Sequence, residues 1–218
     1  MNITILGATG MVGSRLVTEA VTRGHRVTAA ARRPDTYPDA AVTPAAVDVS
    51  APEQLDAALR GADADADAAI LAIRAAPGHE QTIAPLTAAV LDATARAGAR
   101  LLVIGGAGPL RSPRNPAVSV VDDPRFVPPA WRAIADASTA QLHTCAQHAN
   151  PRWVYLSPPS ILEPGPRAGT YRRGTTDTDS ASRISVEDLA VAALDEIEQP
   201  GSDRHFTVAR HLAAHLDG

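Results

Sequence analysis

Gly7, Gly10 and Gly13 stand at GxxGxxG spacing behind the apolar run Ile3-Thr4-Ile5-Leu6, and Met11-Val12 open a helical pattern within the same segment. A turn of this kind suits an anion. Gly7 permits a tight turn, Gly10 leaves no Cβ between the backbone and a pyrophosphate, and Gly13 lets the helix pack closely on the strand. The anion then lies on free N–H groups at the positive end of the helix dipole. A glycine triplet alone is weak evidence, but the strand before it and the helix behind it supply the context that a dinucleotide site requires.

The second cue comes about 20 residues on, where a carboxylate would mark a ribose 2′-hydroxyl. The sequence there reads Ala29-Ala30-Ala31-Arg32-Arg33-Pro34. Two guanidinium groups would hold a 2′-phosphate through charge-assisted hydrogen bonds, and the strand end offers no carboxylate to prefer a diol. NADP(H) is therefore expected over NAD(H). The competing reading leaves Arg32 and Arg33 solvated, with Asp35 as a partner for one of them.

Other reactive residues lack a spacing that implies chemistry. Cys145 is the only cysteine, which excludes an intrachain disulfide and a cysteine-based metal cluster. The carboxylates of Asp63, Asp65 and Asp67 read as a solvated turn. His211 and His215, at i,i+4, could hold zinc on a helix but read as a frayed terminal turn. No metal is expected. Trp131 and Trp153 each begin a regular element and read as apolar anchors.

The elements that must position the glycine loop follow from patterning. Strand-length apolar runs at Ile3 to Leu6, Arg26 to Ala31, Ala45 to Val47, Ala69 to Ile73, Leu101 to Ile104, Trp153 to Leu156 and His205 to Val208 alternate with helical stretches. That alternation predicts βα units feeding a parallel sheet covered on both faces. Val12, Leu16 and Ala20 share one helical face; Ser50-Ala51-Pro52-Glu53 reads as a capping box opening a helix to Arg60. Further helices are expected over Thr82 to Ala97, interrupted early by Pro85, over Trp131 to His148, and over Ser185 to Glu198. The fold class is α/β, a Rossmann-type doubly wound parallel sheet with a small C-terminal substrate lobe formed by loops. One domain is expected over residues 1–218, with 105–130 and 157–183 as substrate-side loops.

With 218 residues, 45% of them apolar, the chain can bury a core without staples. A net charge of −4 gives no overall attraction to nucleic acid, and all 20 basic residues are arginine. The amino-terminal run lacks a secretory pattern and no stretch approaches the roughly 18 apolar residues of a membrane span. A cytoplasmic protein with neither nucleic-acid nor membrane partner is expected.

Taken together, Gly7 to Gly13, Arg32, Asp48-Val49, Gly105-Gly106-Ala107-Gly108, Trp153-Val154-Tyr155-Leu156-Ser157-Pro158, Gly169-Thr170-Tyr171-Arg172 and Ile184 to Ala190 resemble an atypical short-chain dehydrogenase/reductase. The resemblance is to the NAD(P)H-binding branch that holds NADH-flavin reductases, biliverdin-IX-beta-reductase-like enzymes and NmrA-like redox sensors, and it covers nearly the whole chain. It implies that Thr9, Gly10, Met11 and Val12 touch the pyrophosphate and that Asp48 with Val49 borders the adenine. It further implies that Leu71-Ala72-Ile73-Arg74 lies under the nicotinamide-side ribose. Gly105, Gly106, Ala107 and Gly108, with Pro158, Pro159 and Ser160, would wall the nicotinamide and acceptor pocket.

Departures from the wider superfamily constrain the chemistry. Its usual members pair a Tyr acid with a Lys four residues later, and this sequence contains no lysine. No Tyr lies between Trp131 and His148, and the expected Ser region is Gly105 to Gly108. Hydride transfer to a flavin, quinone or similar conjugated acceptor asks less, because the acceptor can take its proton from solvent. His79, Ser160 and Tyr171 are the candidate proton donors. The alternatives are an NmrA-like sensor that binds NADP(H) without turnover and reports to a protein partner, and a tailoring oxidoreductase of a bulky conjugated metabolite.

Overall fold

The protein is represented by a computed structural model that describes residues 1–61, 64–175 and 182–211. Strands β1 (Asn2–Leu6), β2 (Arg26–Ala31), β3 (Val42–Ala46), β4 (Ala68–Leu71), β5 (Arg100–Ile104) and β6 (Trp153–Ser157) are followed by the short β7 (Ile161–Glu163), β8 (Arg172–Gly174) and β9 (Arg183–Ser185), then β10 (His205–Ala209). The main sheet has the order β3-β2-β1-β4-β5-β6-β10-β8, parallel throughout except for β8, which runs antiparallel to β10 at the edge. From β1 the chain builds outward through β2 and β3, then returns to the other side of β1 at β4. The order reverses there, which opens a crevice at the carboxyl ends of β1 and β4.

Helices cover both faces because the strands are apolar on both. Ile3 and Ile5 of β1 join a core with α1 (Met11–Thr22) and α5 (Val186–Glu198), while Leu6 turns to the opposite core with α2 (Pro52–Arg60), α3 (Ile83–Ala97) and α4 (Arg132–Gln147). Leu16, Leu55, Leu59 and Leu91 are fully buried in these layers, each contributing about 1.5–3 kcal/mol of apolar burial.

Helices α1 and α5 run parallel, pinned at both ends. Arg15 meets Glu187 at 3.1 Å near their starts, and Arg23 meets Asp195 at 2.7 Å near their ends. Ser185 caps α5, its Oγ accepting from the Asp188 amide at 3.0 Å. At the far edge, the buried Glu196 carboxylate accepts from Arg173 at 2.8 Å and also holds Arg100, while Arg173 lies 3.7 Å over the Phe206 ring. These contacts attach β8 to the body of the fold.

Several local expectations need correction. The third strand is Val42–Ala46 rather than Ala45 to Val47; it accommodates Pro44 because β3 is an edge strand, where a missing N–H breaks no interior ladder. Ser50 does not cap α2: its hydroxyl donates to Asp48 Oδ1 at 2.7 Å, and the N-cap position falls on Ala51. Pro85 does not interrupt α3, since it sits in the first turn, where amides have no intrahelical acceptor. The 157–183 segment is not all loop, for it carries β7, which pairs with β9, and β8.

The 105–130 segment is a loop with an interior of its own. Leu110, Val120 and Val121 are buried, and Ser112 Oγ donates to the buried Asp123 carboxylate at 2.7 Å. Arg125 grips the same carboxylate, and together they hold the Asp123 carboxyl well below its usual range. No helix among the described residues is long and apolar enough to cross a membrane.

Candidate functional site

The glycine loop occupies the crevice between β1 and β4. Gly7 adopts φ +92°, and a Cβ there would strike the Ala72 carbonyl oxygen, so both conformation and space require glycine. A Cβ at Gly13 would strike the Gly7 carbonyl. Gly10 differs, because its Cβ would meet only Gly7 O at 3.2 Å and Ala72 O at 4.0 Å. Gly7 and Gly13 are thus demanded by the chain's own packing, whereas the space over Gly10 is open to an approaching ligand.

Hydrogen bonds hold the loop against β2. The Gly7 and Ala8 amides both donate to Ala30 O, at 2.8 and 3.1 Å, and Gly10 N donates to Gly7 O at 3.0 Å. No side chain caps α1. The first-turn amides of Met11, Val12 and Gly13 therefore face outward without an intrahelical acceptor, at the positive end of the helix. This cradle fits a pyrophosphate.

Beside it lies a cleft of about 500 Å³ lined by Thr9, Arg32 and Arg33. Among the described residues no carboxylate ion-pairs with either arginine, and Asp35 does not take the partner role. The Asp48 carboxylate accepts from the Ser50 hydroxyl and from the Ser50 amide at 2.9 Å; these bonds, with a smaller contribution from Arg32, keep its carboxyl below the usual range. Asp48 thus shapes the turn into α2 near Arg32, and Val49 packs half-buried against the α2–α3 core. The arginines carry positive charge into this cleft.

On the β4 side, Leu71 ends the strand, Ala72 N donates to Leu6 O at 2.8 Å, and Ile73 is half-buried. Arg74 emerges exposed, with its guanidinium 5.9 Å from the centroid of the Trp131 ring. Trp131 is 56% exposed, so it is not the apolar anchor expected from the sequence. Trp153, by contrast, is half-buried against the α2–α3–α4 core.

Close packing requires glycine along the Gly105 to Gly108 segment. A Cβ on Gly105 would collide with the Tyr155 ring, one on Gly106 would lie 3.0 Å from Ser138 Cβ, and one on Gly108 would collide with the Ala135 carbonyl. These glycines let α4 and Tyr155 approach the end of β5, with Ala107 half-buried between them. The Tyr155 hydroxyl lies 2.8 Å from Ser138 O and 3.1 Å from Gln141 Oε1, and burial pushes its phenol far up.

The candidate proton donors are not brought together. His79 is exposed at the turn before α3, and Ser160 is exposed just past the buried Pro158 and Pro159. Tyr171 is removed from the cradle: its hydroxyl donates to Asp195 at 2.8 Å, beside Arg23 at the far end of α1. That end is about 20 Å from Gly10 at 1.5 Å per helical residue. Burial, followed by the Asp195 carboxylate, raises the Tyr171 phenol well above its ordinary value.

A polar cluster that sequence reasoning did not single out lies near the carboxyl end of β6. His205 Nε2 and Ser157 Oγ share a 2.8 Å hydrogen bond, and the His205 ring stands edge-on to Tyr155 at 5.5 Å. Burial lowers the imidazole to about 4. The pairing of Tyr155 with His205 across β6 and β10 joins residues 50 apart, and no local pattern signals it. Among the described residues no cluster of three His, Cys, Asp or Glu could hold a metal; His215 lies outside them, as do Ala62 and Asp63 of the acidic stretch.

A glycine cradle at a topological switch point, with an uncapped helix behind it, has the form of a nicotinamide-dinucleotide site. Residues 7–200 match the NAD(P)H-binding family. The chain belongs to that family. This NAD(P)H-binding protein is 33% identical over 216 residues to the uncharacterized protein YwnB of Bacillus subtilis, a match covering 95% of this chain and 98% of that one. It is similar to the solved structure of a putative epimerase from Bacteroides thetaiotaomicron, with 32% identity, TM-score 0.86 and coverage of 98% and 99% of the two chains. It also resembles a putative NADH-flavin reductase from Streptococcus pneumoniae, with 26% identity, TM-score 0.80 and coverage of 97% and 100%.

Proposed function

We propose that this protein is a cytoplasmic NADP(H)-dependent reductase that delivers hydride to a flat conjugated acceptor such as a flavin or quinone. The observation that carries the reading is the pairing of an arginine-lined cleft at Thr9, Arg32 and Arg33 with a chain that holds no tyrosine–lysine acid. Tyr155 is sealed against Ser138 and Gln141, and Tyr171 belongs to the opposite end of α1.

When bound, reduced nicotinamide supplies a hydride; with one proton from water, NADPH and the oxidised acceptor give NADP⁺ and the reduced acceptor. The chain's part is binding and orientation. The Met11, Val12 and Gly13 amides hold the pyrophosphate, and Arg32 with Arg33 holds the 2′-phosphate. An acceptor with a conjugated electron sink needs no general acid from the protein, which suits a site without one. The partner is a small molecule.

Stopped-flow mixing of the protein and NADPH with FMN, FAD or a soluble quinone tests the reading. NADPH oxidation above the protein-free rate with at least one acceptor is expected. Tight NADPH binding with no oxidation by any of them would replace the reductase with a redox sensor that signals to a protein partner.

A further inference from the structure

Three neighbouring strands each begin with or behind an arginine. Arg100 opens β5, Arg152 immediately precedes β6 and Arg204 immediately precedes β10, and these strands are adjacent in the sheet. Leu101 is in register with Trp153, and its amide donates to Arg152 O at 2.9 Å. Arg100 and Arg152 therefore stand side by side, at the roughly 4.8 Å spacing of paired strands. The Arg204 guanidinium donates to the carbonyls on either side of Arg152, those of Pro151 and Trp153. The three residues gather at the amino end of the sheet, about 13 Å of strand away from the carboxyl ends that carry the glycine cradle.

Charge at this end is unbalanced. Arg173 reaches in from β8, so four guanidinium groups share two carboxylate partners, Glu196 and Asp203. Glu196 is buried and already accepts from Arg100, Arg173 and the Gly201 amide, while Asp203 lies 3.6 Å from Arg173. Carbonyl oxygens fix Arg204 in place but neutralise none of its charge. Arg152 is exposed and has no ion pair among the described residues. Burial holds the Arg100 guanidinium below its ordinary value, and Arg204, Arg152 and Arg173 push the same way against Glu196 alone.

We infer that Arg152 and Arg204, backed by Arg100, form a binding site for a small, multiply charged oxyanion of the phosphate class, separate from the cofactor cradle. Planar guanidinium groups match the oxygens of such an anion bidentately. Arg204 lies 5.6 Å from the Trp153 ring centroid, a contact made by its flat face, which leaves the Nε and Nη2 hydrogens in its plane for a ligand. Arg152 supplies a full set of donors beside them. Arg100 stays on Glu196 and adds charge at longer range. Built at the opposite end of the strands, the site stands or falls independently of the reductase reading.

The test is calorimetric titration of inorganic pyrophosphate into the intact protein saturated with NADP⁺, with ionic strength held constant by sodium chloride so that screening does not change. Saturable binding of one equivalent is expected. Arg152→Gln should weaken it about tenfold or more, the loss of one charge-assisted contact, without lowering the melting temperature, because the side chain is exposed. Arg204→Gln should weaken it by a similar factor, and Arg152→Lys should keep part of the affinity. NADP⁺ binding should be unchanged in all three. Absence of saturable binding by wild type overturns the inference, as does equal affinity in wild type and Arg152→Gln, which puts the anion elsewhere. Binding that appears only without NADP⁺ overturns it too, since the anion then occupies the glycine cradle.

Discussion

Tyr155 fills the space that a side chain on Gly105 would need, so the glycine at the end of β5 serves the packing of a buried phenol. Gly105→Ala should destabilise the fold by about 3 kcal/mol, the upper end for overpacking, because the neighbour is a fully buried ring. Tyr155→Leu removes the ring and opens a cavity of its own. In a double-mutant cycle followed by denaturant unfolding, the pair should couple by roughly 1–3 kcal/mol, the double variant being less damaged than the sum of the singles. Strict additivity would separate the two residues.

The glycine loop should split into structural and ligand-facing positions. Gly13→Ala drives a Cβ into the Gly7 carbonyl and should lower stability by about 2–3 kcal/mol. Gly10→Ala meets little protein and should change stability by less than about 1 kcal/mol while weakening NADPH binding about tenfold or more. Thermal melts with and without NADPH distinguish the two: only Gly10→Ala should keep its melting temperature and lose its shift on adding cofactor.

Charge at the β2 end should set cofactor choice. The double change Arg32→Asp, Arg33→Ala is expected to weaken NADPH binding by about 10–100-fold, from the loss of charge-assisted hydrogen bonds at about 1.5–3 kcal/mol. NADH affinity should hardly move. Equal affinities of the wild type for NADPH and NADH in the same titration would refute the assignment of these arginines to a 2′-phosphate.

His205 should make the protein less stable in mild acid. Its folded value is about 4 against an ordinary 6.5, so the unfolded chain binds the proton first. Stability from this group is fully present above about pH 6.5 and declines as pH falls toward 4, by on the order of 2 kcal/mol given the ring's partial solvent access. Chemical unfolding at intervals across that window should show a steeper acid loss in wild type than in His205→Gln, with the carboxylate contributions common to both.

What was legible in the sequence is what local spacing determines. The turn from Gly7 to Gly13 and the helix start at Ser185 each depend on neighbours within a few residues, and the structure forms both. Tyr171 carried a familiar local segment, yet its position is fixed by Asp195 and Arg23, one of them nearly 150 residues earlier. The packing reason for glycine at 105–108 is not legible locally, because the residues that press on them, Tyr155, Ser138 and Ala135, arrive from later elements. Trp131 shows the same effect in reverse: beginning a helix suggests anchoring, but only the layer above decides whether the indole is covered. Strands β7, β8 and β9 have three residues each, too few for alternation to declare itself.

Both borders of the main sheet resist lengthening by another strand. At one border, β3 carries Pro44, which has no N–H to offer a newcomer; at the other, β8 is three residues long and bears Arg172 and Arg173. An intruding strand would find a broken row of donors on one side and a short, cationic one on the other. Self-association by continuous sheet, the usual hazard of an open β layer, is thereby disfavoured, and two copies that meet would have to do so through helices or loops.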